Sequence, residues 1–410
     1  MKKLMILGSS KYFENLVITA KSMGIYTIVC DGFKNSPAKK VCDEAIDIDV
    51  FDLEKLKMLA IEKKIDGVIS GFSDILIKPY TYIANELGLP CVITNDQLES
   101  VTNKEVMKGI FKENNIKSID YCILNSINEL DKLSGLKYPL VIKPLDSSGS
   151  KGIYFVDNEL ELKDNFDNAK EYSSNGKVLV EEFYESTEIQ GLAWVNDGEA
   201  HVMYIGDREL VNIHKGRPGK PKRLLYPSIY CYQYEDEIKE IYQKIATAFG
   251  IKNGPIYAQM LVGKDGIKVA EAMTRLPGGC DYLAISKATG FDIGALVINF
   301  CIGEKIDFNE VKKVNMRLDK CVYALPIYLK AGKISKIIGR DKIEELDYVF
   351  ETFFNVEEGD EVGNTGDMKQ DCGRFFGIAE NIYVANKAEK TIQSMLNILD
   401  ENGERMINNF

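Results

Sequence analysis

The chain has 410 residues, of which 45% are hydrophobic and 28% charged, which is typical of a globular protein with room for roughly three domains. A net charge of −11 argues against nucleic-acid binding, because a nucleic-acid partner requires a basic face. With His201 and His214 as the only histidines, neither a histidine-based zinc site nor a serine or cysteine triad is indicated.

The nine cysteines form no CxxC pair and are scattered through apolar segments, so we predict buried free thiols in a reducing cytoplasm. The apolar run near the start of the chain, MKKLMILGSS, is too short for a signal peptide. No apolar stretch of about 18 residues occurs, and no membrane partner is expected.

The first 94 residues alternate between strand and helix patterns, which predicts a doubly wound parallel sheet with ligands at the carboxyl ends of its strands. Strands are predicted at 3–8, 26–31, 46–50, 67–71 and from residue 90, and helices at about 13–22, 53–63 and 75–87. Asp31 lies where a ribose-binding acid of an NAD site would lie, but the first turn has one glycine, Gly8, where that fingerprint needs three. An NAD-dependent oxidoreductase is therefore a minor alternative, and Asp31 as a turn-capping acid is the other interpretation.

From residue 95 the pattern changes to short helices and strands. Two helices are predicted within 95–114, a third at 126–133, and strands at 121–124, 140–143, 153–156, 177–182 and 189–195. Lys143 lies inside a predicted buried strand, where a charged residue usually has a partner. The following loop contains Ser148, Gly149, Ser150 and Gly152, whose backbone N–H groups can approach a phosphate. A solvated linker is the alternative, since no P-loop motif is present.

One stretch, 214–223, is strongly basic and includes His214, Lys215 and Arg217 among glycines and prolines. In an acidic protein such a loop suits an anion gate, and a solubilising loop is an equal alternative. A helix at 235–249 follows.

Residues 254–279 predict a β-hairpin with strands at 256–262 and 267–273. A three-residue loop ending at Gly266 would place Gln259 opposite Glu271, with Met273 on the same face as Glu271. An amide oxygen beside a carboxylate can hold a hard cation, and Arg275 just beyond can stabilise a developing anion. Taken alone, an ordinary surface hairpin is the alternative.

The sequence after residue 279 predicts helices at 281–289 and 293–301. From about residue 314 it predicts an α+β unit. Its strands are predicted at 321–329, 332–339, 349–354 and 373–385, and its last helix at 387–402.

In their order and spacing, Lys104, Lys143, the Ser/Gly loop, the Glu181-Glu182-Phe183 run, Glu188, Gln259 and the Glu271–Arg275 segment resemble the ATP-grasp superfamily. The resemblance is to its carboxylate–amine ligases, which share a layout with biotin carboxylase, the carbamoyl-phosphate synthetase large subunit, glycinamide ribonucleotide synthetase and L-amino acid ligases. It implies a pre-ATP-grasp α/β domain at 1–94, an ATP-grasp domain at 95–310 with a flexible lobe at about 115–182, and a C-terminal α+β domain at 311–410.

The resemblance also implies roles for individual residues. ATP would be held by Lys104 and Lys143 at the phosphates, Ser148, Gly149, Ser150 and Gly152 above them, Glu181, Glu182 and Phe183 at adenine, and Glu188 at the ribose. Gln259 and Glu271 would bind Mg²⁺, with Mn²⁺ as an alternative ion, and Arg275 would be catalytic. Substrate contacts would come from His214, Lys215, Arg217, Gly278 and Gly279.

One position departs from the family pattern Glu-x-Asn-x-Arg, because Met273 replaces the asparagine that serves a second magnesium. A thioether is a poor Mg²⁺ ligand, so the second site is expected to be weak, water-filled, or completed by Asp281 or Thr274. The implied function is ATP-dependent joining of a small carboxylic acid to an amine. A homodimer is compatible with the resemblance. A catalytically weak or inactive ATP-binding protein is the alternative.

Overall fold

The computed structural model describes residues 1–146, 152–211, 220–364 and 370–408. Its N-terminal segment is a parallel sheet of four strands in the order β3-β2-β1-β4, which confirms the predicted doubly wound architecture. The strands are β1 (Lys3–Leu7), β2 (Tyr26–Asp31), β3 (Glu44–Asp47) and β4 (Gly67–Ser70), and the helices are α1 (Lys11–Ser22), α2 (Pro37–Val41), α3 (Leu53–Lys63) and α4 (Ile77–Glu86). The strand predicted from residue 90 is wrong, because 88–94 form turns and irregular backbone.

Two helices, α5 (Leu98–Thr102) and α6 (Lys104–Glu113), connect this sheet to the rest of the chain. The Asn103 side chain accepts hydrogen bonds from the backbone N–H groups of Glu105 and Val106 and so fixes the start of α6. Lys104 is the first residue of α6, and Lys108, four residues later, lies one helical turn further along the same face.

A small antiparallel sheet follows, in the order β5-β8-β6-β7, with its own apolar core that includes Leu124, Ile142 and Phe166. Its strands are β5 (Tyr121–Leu124), β6 (Leu140–Pro144), β7 (Tyr154–Val156) and β8 (Val178–Glu182), with a 3₁₀ helix at Ile127–Gly135. Helix α7 (Glu159–Glu171) covers this sheet and was not predicted. We call this unit the lobe.

The largest sheet has eight strands in the order β13-β12-β9-β10-β11-β14-β18-β16. They are β9 (Ser186–Asn196), β10 (Glu199–Val211), β11 (Lys220–Tyr226), β12 (Gly254–Gly263), β13 (Gly266–Met273), β14 (Cys321–Tyr328), β16 (Val349–Phe354) and β18 (Asp371–Ala379). Strands β10 and β11 were not predicted. The sheet joins strands from both sides of residue 310, and the domain boundaries stay a prediction.

The helices around this sheet are α8 (Glu235–Ala248), α9 (Asp281–Thr289), α10 (Ile293–Cys301), α11 (Phe308–Val311), α12 (Arg340–Glu344) and α13 (Ile382–Met395). A three-stranded sheet, β17-β15-β19, comprises β15 (Gly332–Ile338), β17 (Glu361–Val362) and β19 (Asn397–Asp400). The predicted strand 373–385 and helix 387–402 are wrong in their limits. The Asn381 side chain caps the N–H groups of Tyr383 and Val384, so α13 begins earlier, and it ends at Met395.

All nine cysteines are free thiols, as predicted. Six of them are buried, whereas Cys42, Cys91 and Cys122 are partly exposed, contrary to the prediction that all would be buried. Within the described parts of the chain, no single helix has the length and apolar composition for a membrane crossing. In these same residues, α9 and α10, which meet at 110°, satisfy the length and composition criteria only when the two helices are counted together.

Candidate active site

The hairpin β12–β13 pairs Gln259 with Glu271, in the register predicted from the sequence. The three-residue loop is wrong, because Gly263 pairs with Gly266 and leaves a two-residue turn. A bulge at Ala270 accounts for the difference, since Gln259 faces Glu271 while the next residue, Met260, faces Val269. A two-residue turn together with this bulge therefore gives the same pair that a three-residue loop was predicted to give.

At this pair an amide and a carboxylate lie beside a lysine. Lys104 Nζ is 4.0 Å from Glu271 Oε1, and Gln259 Nε2 donates a long hydrogen bond of 3.4 Å to the Tyr257 hydroxyl. No group of three or more His, Cys, Asp or Glu suited to a metal occurs in the described ranges. The donor set fits Mg²⁺, which binds proteins through one or two carboxylates and completes its octahedron with water and phosphate oxygens.

On the facing lobe, the Glu181 carboxylate lies between two lysines. Glu181 Oε1 is 2.5 Å from Lys108 Nζ, and Glu181 Oε2 is 2.5 Å from Lys143 Nζ. Burial alone would raise the pKa of the Glu181 carboxyl, but the two ammonium charges more than offset it and lower that pKa to about 2. The adenine contact implied for Glu181 stays a prediction, because in this structure both of its oxygens bind lysines.

The low pKa of Glu181 predicts a contribution to acid stability. Because this pKa falls from 4.5 to about 2 on folding, the ionised carboxylate adds on the order of 3 kcal/mol to the free energy of unfolding at neutral pH. That contribution is complete above pH 4.5 and is lost as the pH falls towards 2. In urea unfolding, the difference between the wild type and Glu181→Gln should shrink over this interval. A difference that is constant with pH would contradict this assignment.

The other residues implied for adenine and ribose lie on β8, on β9 or in the short connection between them. Glu182 Oε1 accepts a hydrogen bond from the Lys137 backbone N–H at 2.9 Å, and the Phe183 backbone N–H donates to the Pro139 carbonyl at 2.9 Å. Glu188 forms an ion pair with Arg208, which is its partner across β9 and β10. The nucleotide contacts of these residues stay predictions.

Arg275 is buried at the junction with the N-terminal sheet. Its Nε and Nη2 lie 2.7 and 2.5 Å from Asp74 Oδ1, and its Nη1 donates to the Leu276 carbonyl at 3.0 Å. Its Nη2 also lies 3.0 Å from the Met273 sulfur, which accepts a hydrogen bond from it. Met273, at the position that departs from the family pattern, is thus a buried neighbour of the arginine.

The loop after Arg275 packs closely against the N-terminal sheet. A Cβ on Gly278 would lie 2.9 Å from the Phe72 carbonyl oxygen, and a Cβ on Gly279 would lie 2.4 Å from Asp281 Oδ1. Both positions therefore require glycine. Asp281, considered as a second metal ligand, is completely buried, accepting hydrogen bonds from the Tyr226 hydroxyl at 2.5 Å and Gln190 Nε2 at 2.9 Å.

Several predicted residues lie outside the described ranges, namely Ser148, Gly149, Ser150, His214, Lys215 and Arg217. Gly152 is described and has a φ of +67°, a conformation that favours glycine. Asp31 Oδ1 accepts the Phe33 N–H at 2.9 Å, which is the turn-capping role offered as the alternative to an NAD site.

Sequence reasoning missed Lys108, although a signal was present. Lys108 stands between Met107 and Phe111 on the apolar face of α6, one turn after Lys104. A lysine on such a face predicts a buried partner of opposite charge, because an unpaired ammonium is costly to bury.

Comparison with known proteins finds a family model and several relatives that this chain resembles. Residues 136–281 match the family model described as "ATP-grasp domain". A formate-dependent phosphoribosylglycinamide formyltransferase of Prochlorococcus marinus is 32% identical over 187 residues, which cover 44% of this chain and 47% of that protein. A phosphoribosylamine–glycine ligase of Methanococcus vannielii is 27% identical over 366 residues, which cover 80% and 78%.

Among solved structures, an L-amino acid ligase of Bacillus licheniformis superposes with a TM-score of 0.84, at 19% identity, over 98% of this chain and 99% of that one. At this identity the likeness establishes the fold alone. Among the curated relatives, the chain spans about half the length of the first ones that it matches, 47% and 48%.

Proposed function

Because this chain belongs to the ATP-grasp superfamily, we propose that it is an ADP-forming ligase that activates a carboxylate with Mg-ATP and joins it to an amine. One observation carries the proposal most directly. Lys104 lies 4.0 Å from Glu271, which is itself paired with Gln259. An ammonium cation, the kind of group that binds phosphates, thus lies beside two hard oxygen donors of the kind that hold Mg²⁺.

In the proposed reaction, a carboxylate oxygen of the substrate attacks the γ-phosphate, forming a new O–P bond while ADP leaves. An amine then attacks the acyl carbon, the bond between that carbon and the phosphate oxygen breaks, and phosphate and the amine proton leave. The chain's residues position the reactants and neutralise charge, without a covalent nucleophile. Lys104 and Lys143 would hold the phosphates, Gln259 and Glu271 would hold the Mg²⁺ that offsets phosphate charge, and Arg275 would stabilise the oxyanion of the tetrahedral intermediate.

Two substrate classes fit the proposal. The names of the two curated relatives suggest a phosphoribosyl amine or its glycinamide, and the name of the solved ligase suggests an amino acid. The test is a screen of carboxylic acids and amines with Mg-ATP, read by phosphate release and by mass spectrometry of the product. We expect one pair to give ADP, phosphate and an amide in equal amounts. Absence of Mg-dependent ADP formation with every pair would refute the proposal.

A cytoplasmic location is part of the proposal, since nine free thiols suit a reducing compartment. The proposed partners are small molecules, with no nucleic acid or membrane among them. A homodimer stays a prediction, which the mass of the protein in solution would test.

Met273 favours a second candidate, a nucleotide-binding protein with little turnover. Its sulfur is a poor Mg²⁺ ligand and accepts a hydrogen bond from Arg275. If a missing second metal ligand limits catalysis, Met273→Asn should raise turnover several-fold and lower the Mg²⁺ concentration at half-maximal rate. We expect instead that the variant gains no activity and loses about 1–3 kcal/mol of stability, because it buries a polar amide at a position that now holds a thioether. Kinetics over a Mg²⁺ titration and urea unfolding distinguish the two.

A further inference from the structure

Among Lys104, Lys108 and Lys143, the lysines that the described residues place around the site, Lys108 is the least exposed. Its side chain is 2% exposed, compared with 20% for Lys143 and 22% for Lys104. Its ammonium lies 5.2 Å from the centre of the Tyr121 ring and 2.5 Å from Glu181 Oε1. Lys108 is therefore enclosed between α6 and the lobe, away from the surface that a ligand would contact.

The two lysines that bind Glu181 differ in what they can reach. Lys143, on β6, is partly open to solvent, and its ammonium group contacts the other carboxylate oxygen of Glu181, Oε2. In the proposed function Lys143 must also hold a phosphate, and it then has to leave Glu181 in whole or in part. A buried carboxylate that loses its only positive partner is strongly destabilised. With Lys143 as sole partner, Glu181 would hold this lysine back from the phosphate.

We propose that Lys108 is a positioning residue that keeps Glu181 neutralised. The Lys143 side chain can then move its ammonium group away from Glu181 and towards the phosphates of a nucleotide. This inference rests on the proposed function and adds a role that the family resemblance did not supply. Lys108 itself does not touch the nucleotide. Its effect is confined to the phosphate part of the ligand, because the step that it assists is the movement of Lys143.

The test compares ADP with adenosine, which lacks phosphates, by calorimetric titration without metal. Lys108→Met should weaken ADP binding about tenfold or more, while adenosine affinity changes by less than about twofold. Lys177→Met is the matched control. It removes another ion pair between the lobe and α6, at 3.0 Å from Glu105, but one that is partly exposed. This control should leave both affinities within about twofold of the wild type.

A second comparison covers the case in which Lys108→Met does not fold. In a Glu181→Gln background no buried carboxylate needs a partner, so adding Lys108→Met should change ADP affinity by less than about twofold. A loss above about fivefold in that background, or an equal loss of ADP and adenosine affinity in Lys108→Met, would overturn the inference. If the wild type bound neither ligand, the proposed function itself would fail. Wild-type ADP binding that is unaffected by Lys108→Met would refute only the role of Lys108.

Discussion

Arg275→Ala is expected to lower turnover by about 100- to 1000-fold, the usual effect of removing one donor to a developing oxyanion, with ADP affinity within about threefold of the wild type. The Arg275 side chain is 8% exposed and lies two residues beyond the end of β13. It follows Glu271 by four residues and so lies beyond the proposed metal site, on the side of the N-terminal sheet. A loss in kcat with nucleotide binding retained is what a transition-state contact predicts.

Arg275 also has a structural role, and a control must separate the two. Its ion pair with Asp74 joins segments 201 residues apart, so the alanine variant will lose stability as well as activity. Asp74→Ala removes the same ion pair but leaves the guanidinium in place. We expect Asp74→Ala to lower the melting temperature in a similar way and to lose less than about tenfold in turnover. Equal losses of turnover in both variants would show that Arg275 acts by holding this junction together.

Local signals account for the parts of the fold that the sequence predicted well. Strand β2, helix α3, helices α9 and α10 and strand β16 have the predicted limits. Each has a clear boundary, such as Gly290, which has a φ of +75° at the end of α9. The register of Gln259 and Glu271 was correct although the loop was wrong, because strand alternation and the bulge at Ala270 gave the same pairing.

Packing between distant segments accounts for what was missed. Strand β10 lies inside the large sheet between β9 and β11 and is buried through its middle, so it lacks the alternation of a half-exposed strand. The site follows the same rule. The partners of Glu181 and of Arg275 lie on other elements. No periodicity in β8, or in β13 and the residues after it, indicates which side chains will face them. The resemblance supplied residue roles, while the contacts with Lys108 and Asp74 required the structure.

The second large effect is expected for Glu271→Gln, which keeps the shape of the side chain and removes its charge. Loss of the carboxylate ligand should lower Mg-dependent turnover by about 100-fold or more and raise the Mg²⁺ requirement, since a bound metal stabilises transferring phosphate by several kcal/mol. Turnover measured over a Mg²⁺ titration gives both quantities. Glu237→Gln, which removes a surface carboxylate 3.3 Å from Lys117, is the control and should behave as the wild type.

The neighbouring lysine gives Glu271→Gln a second effect of opposite sign. Because Lys104 Nζ lies 4.0 Å from the Glu271 carboxylate, that charge offsets part of the positive field available to a phosphate. Without metal, ADP should therefore bind the variant as tightly as the wild type or more tightly, even though turnover with metal is lost. Metal-free affinity that fell together with turnover would mean that Glu271 maintains the shape of the site instead of holding Mg²⁺. Opposite responses in the two assays would identify Glu271 as the metal-binding carboxylate of the β12–β13 hairpin.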